Sequence, residues 1–90
     1  MITIEQTVRN VLARHVGRLP TTLLAEQRLE RDLHMTPLDI VLAVLEIEQI
    51  LEEYLPINEL ASLHRVGDLI AFVARTVPSE KRGRSLHGAG

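Results

Sequence analysis

Ninety residues, 46% of them hydrophobic, make one domain with room for a modest core. Only 2% are aromatic, so the core is expected to be aliphatic, and without cysteine there is no disulfide framework, thiolate ligand or nucleophilic thiol. The net charge of −2 and the scarcity of rings for base stacking argue against nucleic-acid binding, and no apolar run approaches the ~18–20 residues of a membrane span.

The chain opens on Met1-Ile-Thr-Ile-Glu5, which lacks the basic start and long apolar run of a secretory leader, so a cytoplasmic location is expected. Thr3-Ile-Glu-Gln6 has the form of a capping box and predicts a helix over about 4–16. Ile4, Val8, Val11, Leu12 and Val16 recur at the spacing of one buried face. Gly17 suits a left-handed cap, and Pro20 is expected to prevent a restart. His15, beside the apolar stripe, reads as an edge residue rather than a base or ligand. Residues 17–36 form a long connection, and structureless loops above ~12–15 residues are uncommon in compact domains. It is therefore expected to pack down through Leu19, Leu23, Leu24, Leu29 and Leu33, with a helical turn over 22–27.

The next stretch carries the strongest signals. Thr36 suits an N-cap, Pro37 the first helical position, and Asp39 completes an S/T-x-x-acid capping box. Met35 and Ile40 are spaced for a hydrophobic staple. The helix is predicted over about 37–53. At 100° per residue Ile40, Ala43, Val44, Ile47, Leu51 and Leu55 gather on the core side. Leu38, Val41, Leu42 and Leu45 gather on nearly the opposite side, which then turns polar at Glu48, Gln49, Glu52 and Glu53. Two readings stand for those leucines: the 17–36 connection folds over them, or they form a docking patch rimmed by acids. Between Thr36 and Leu63 there are six acids (Asp39, Glu46, Glu48, Glu52, Glu53, Glu59) and no Lys or Arg. That bias describes either a solvated helix side or an anionic face that steers a basic partner surface.

Pro56 ends this helix, and residues 58–63 predict a short third one with Leu60 and Leu63 inward. Val66, Leu69, Ile70, Val73 and Val77 predict a last helix over about 66–77, with Asp68 near its start and Pro78 closing it. The 1–78 region is thus one all-α bundle. Residues 79–90 are basic, Gly-rich and without periodicity, the composition of a disordered tail. His15, His34, His64 and His87 show no metal-ligand spacing, and His34 with His64 alone make too small a set for zinc. No phosphate loop and no nucleophile with an evident base occur, so the chain is not expected to be an enzyme.

The stretch from Leu33 to Ile70 resembles the acyl carrier proteins. Leu33, Leu38, Asp39, Val41, Val44, Ile47 and Leu51 match the pattern around that family's Asp-Ser-Leu motif and second helix. Leu55-Pro56 resembles its Ile-Pro, and Arg65-Val-Gly-Asp-Leu-Ile70 its "TVGD"-type opening of the last helix. No insertion or deletion is needed, and the likeness covers most of residues 4–77. It implies a four-helix bundle with a long first loop and a short third helix beside the pocket that shelters the acyl chain. It also implies docking to enzymes of fatty acid or polyketide synthesis through the second helix. The partner-binding residues so implied are Leu38, Val41 and Leu45, here joined by Leu42, Glu46, Glu48, Gln49 and Glu52. The departure is Pro37, which stands where the family has the serine that accepts 4′-phosphopantetheine. Proline has no hydroxyl to esterify, and Thr36 lies one position early with its oxygen expected in the cap. No prosthetic group is therefore expected. Two alternatives remain: a true carrier modified atypically at Thr36 or descended from a serine form, and a helical scaffold that dimerises through its leucine patch.

Overall fold

The structure, a computed structural model, describes residues 3–77. The tail at 79–90 lies outside the described residues. The described residues hold three α-helices, α1 (Ile4–Val16), α2 (Pro37–Leu51) and α3 (Val66–Thr76), with 3₁₀ segments at Pro20–Thr22 and Ile57–Ser62.

Both long helices start as their sequences require. The Gln6 N–H donates to Thr3 Oγ1 at 3.0 Å, and the Thr3 N–H donates back to Gln6 Oε1 at 2.9 Å. At α2 the Asp39 N–H donates to Thr36 Oγ1 at 3.1 Å and the Thr36 N–H to Asp39 Oδ2 at 2.9 Å. A cap of this kind contributes roughly 1 kcal/mol by satisfying donors the first turn leaves open. Gly17, at φ 72°, closes α1 in the left-handed conformation that glycine adopts without a Cβ clash.

α1 packs against both α2 and α3. Val8, Val11 and Leu12 meet Ala43, Val44 and Ile47 in one core with Leu69 and Val73, all completely buried. Composition pointed to an aliphatic interior, and here the structure corrects it. Phe72 is completely buried and is the largest such side chain, one turn after Leu69. The Arg75 guanidinium lies 5.6 Å from its ring centroid.

Several boundaries differ from expectation. α2 stops at Leu51, and Glu52 takes a left-handed φ of 55°, so Glu52 and Glu53 lie beyond the helix rather than on it. Glu48 Oε2 then accepts the Leu55 N–H at 2.7 Å, pinning the turn that follows. The third helix is a 3₁₀ segment at Ile57–Ser62, with Leu63 buried and Leu60 half-buried. α3 ends at Thr76. In the long connection the 3₁₀ segment falls at Pro20–Thr22, and the expected turn over 22–27 is a single one at its end, where the Gln27 N–H donates to the Leu24 carbonyl at 3.1 Å. Proline does not block the 3₁₀ segment but opens it, at the first position where its missing N–H is no loss. Leu23, Leu29 and Leu33 are buried, whereas Leu19 and Leu24 are 69% and 57% exposed. Leu23 is extended and its carbonyl accepts from the Arg9 guanidinium. Successive side chains of extended backbone point to opposite sides, which leaves Leu24 outward.

The connection is laced to the start of α3. The Leu29 N–H donates to the His64 carbonyl at 2.8 Å, Val66 to Gln27 at 2.9 Å, and Gly67 to Ala25 at 2.9 Å. The first two of these bonds form an isolated antiparallel bridge between Arg28 and Arg65. A Cβ at residue 67 would stand 3.2 Å from the Ala25 oxygen, so glycine permits the close approach.

Candidate functional site

The head of α2 is where the sequence placed its chemistry. Pro37 is the first helical residue, and the hydroxyl oxygen of Thr36 accepts the Asp39 N–H. The Thr36 N–H, followed by the Thr36 hydroxyl and the charge of His15, holds the Asp39 carboxyl below its usual range. Met35 and Ile40, the residues of the staple, are both buried.

One face of α2 is uncovered. Leu38 is 65%, Leu42 45% and Leu45 37% exposed, with Val41 half-buried and Gln49 exposed. Of the two readings for these leucines, burial under the 17–36 connection is excluded: that segment packs against the start of α3 instead. Ile50, Tyr54 and Ile57 are exposed as well, which periodicity did not single out.

The acids behave differently from a uniform anionic face, and this is a correction. Glu46 turns toward α1, where it pairs with Arg14 and lies 3.1 Å from His15 Nε2. Glu48 is taken by the Leu55 N–H, Asp39 by its cap, and Glu59 by Arg75 at 3.0 Å. Glu52 and Glu53 sit past the helix end. The exposed face is therefore apolar first and acidic only at its edges.

Beside Pro37 an open cleft of about 460 Å³ lies between the first turn of α2 and the 3₁₀ segment. Ile40, Val41, Ile57, Leu60 and Leu63 line it, with Glu30 and His64 at its polar edge. Glu30, Leu63 and His64 also line a smaller recess of about 110 Å³ together with Arg28 and Arg31. His34 is exposed and left-handed at φ 60°. Among the described residues no group of three or more His, Asp or Glu is arranged to hold a metal ion. No described helix is long and apolar enough to cross a membrane.

Fold and surface define a small all-α domain with an uncovered apolar helix face and an open cleft at the head of that helix. A scan against models of protein families finds no match, and a search of curated proteins finds no relative.

Proposed function

We propose that this chain is an acyl-carrier-like four-helix module that docks to enzymes of acyl-chain synthesis or transfer, of the fatty acid or polyketide type, without carrying a thioester itself. The observation that carries the reading is the head of α2. Pro37 offers no hydroxyl there, the Thr36 oxygen is engaged in the cap, and Leu38, Leu42 and Leu45 beyond them face solvent. Loss of the attachment residue removes the covalent chemistry, while Thr-Pro-x-Asp is as sound a helix start as a serine would give. The docking surface is Leu38, Val41, Leu42 and Leu45 at the centre, with Gln49 and Glu52 toward its edge. Glu46 and Glu48 act within the chain, holding α1 and the turn after α2. The partner surface that suits this arrangement is an apolar groove with modest basic character.

Intact mass tests the reading. The chain and its Pro37→Ser variant are incubated with coenzyme A and a phosphopantetheinyl transferase. The expected result is no gain for the chain and one added arm for Pro37→Ser. A gain on the unsubstituted chain makes it a working carrier and overturns the proposal. Failure of Pro37→Ser to load removes the likeness to the carrier family at the site that matters most.

A further inference from the structure

The uncovered face of α2 carries a row with a symmetry of its own. Leu38, Leu42, Leu45 and Gln49, all exposed, follow one another at intervals of four, three and four residues, so the row reads alike from either end. At 100° per residue the four fall within about 60° of one another around the helix, a narrow seam. Intervals of three and four are those at which the side chains of paired helices interdigitate. A row symmetric about its midpoint, between Ala43 and Val44, is matched by itself after a half-turn, the operation of a two-fold interface.

Charge agrees with self-pairing and sets its direction. The seam bears no charge of either sign: α2 has no Lys or Arg, and the neighbouring Glu46 and Glu48 are engaged by Arg14 and by the Leu55 N–H. Two copies therefore meet there without stacking like charges. Glu46, Glu48, Glu52 and Glu53 lie in the second half of α2 or just past it, whereas the first half holds only Asp39, in its cap. A parallel pair would bring the two acidic ends together and align the helix dipoles. An antiparallel pair parts the acids and opposes the dipoles.

We propose that this chain forms a two-fold dimer through α2, the helices antiparallel, with Leu42 of each copy against Leu45 of the other and Leu38 against Gln49. The 15 residues of α2 span about 22 Å, so a contact along one of its faces is at the small end of interface sizes. The dimer is accordingly transient, with a Kd of about 10–100 μM. It uses the leucines of the docking face, so a partner enzyme and a second copy exclude one another there, yet neither reading needs the other.

Sedimentation of the full chain tests the association, and the absence of cysteine lets single-cysteine variants test its geometry. Reversible monomer–dimer exchange is expected in that concentration range. Leu42→Glu should weaken it at least about thirtyfold with helix content unchanged. Ala71→Glu, the same charge at an exposed position of α3, should leave the Kd within about twofold. Gln49→Leu should tighten the dimer about fivefold or more, a gain that no loss of folding imitates. Under diamide, Leu38→Cys mixed with Gln49→Cys should yield the mixed disulfide by intact mass. Leu38→Cys alone should yield none, its two thiols being about 16 Å apart along the helix axis. A chain that stays monomeric at about 1 mM overturns the proposal, as does a Gln49→Leu chain that associates as before. So do Leu42→Glu and Ala71→Glu acting alike. Leu38→Cys linking to itself as readily as to Gln49→Cys also overturns it, because the helices would then run parallel or meet at random. A monomeric chain whose Pro37→Ser form loads the phosphopantetheine arm sinks this dimer and leaves the docking module standing. An unsubstituted chain that loads the arm and still dimerises does the reverse.

Discussion

Asp39 serves two purposes at once: it closes the cap of α2 through the Thr36 N–H and adds a negative charge where the helix dipole is positive. Its carboxyl is held below the usual range chiefly by that backbone hydrogen bond. Asp32 and Asp68 are lowered in the same way, led by the N–H groups of Arg28 and His64. A carboxyl whose folded value is depressed contributes stability above its unfolded value of about 3.9 and loses it as pH falls through the folded one. Acid unfolding should therefore set in below about pH 4. Asp39→Asn should lower the urea midpoint at neutral pH, with the gap to the parent chain narrowing as pH falls. A gap that stays constant with pH would remove the charge from the explanation. His34 is the opposite kind of residue, a non-glycine at φ 60°. Relief of its left-handed strain is worth about 1–2 kcal/mol, and glycine's extra chain entropy returns roughly 0.5–1 of that. His34→Gly should thus raise Tm by a few degrees in a thermal scan. The cap residues Thr36, Pro37 and Asp39 were legible because a cap is a contact over three residues. The φ of His34 was not, because nothing in neighbouring side chains encodes it.

At the scale of elements, α2 divides into a buried and an uncovered face, and substitutions on the two should behave differently. Ile47→Ala removes completely buried methyl groups and should cost about 2–5 kcal/mol. Leu42→Glu changes a side chain that is 45% exposed and should change the unfolding free energy by less than about 0.5 kcal/mol. Sedimentation should find that variant folded and monomeric. If it unfolds instead, the leucines are core and the docking face does not exist. The division itself was readable from helical period, since Ile40, Ala43, Val44 and Ile47 are the buried set. The end of α2 was not readable, because Glu52 adopts the left-handed cap without being glycine or asparagine. Nor was the fate of the acids, because Arg14 and Glu46 meet only after α1 and α2 pack.

For the molecule as a whole, stability turns on a small interior. Phe72→Ala should cost about 3–5 kcal/mol, a large share of the 5–15 available to an ordinary domain. A urea titration should show the midpoint clearly lowered, and a loss below about 1 kcal/mol would contradict the central place given to this ring. Counting rings hid its importance: one phenylalanine is a negligible fraction of the composition yet the bulkiest group in the core. The three helices were visible in sequence because amphipathic period and caps are local. The path of the long connection was not, since only some of its leucines turn inward and its hydrogen-bond partners are far away in the chain.

That last feature reaches into how the protein is made. The carbonyls of Ala25 and Gln27 accept from Gly67 and Val66, and the Leu29 N–H donates to His64, partners about forty residues later. As the polypeptide leaves the ribosome, α1 and α2 emerge first, while the strap between them holds to α1 through Arg9 but still lacks its fastening to α3. It gains its buckle when the opening of α3 arrives, so the cleft beside Pro37, with Glu30 and His64 at its edge, takes its final shape among the last events of folding.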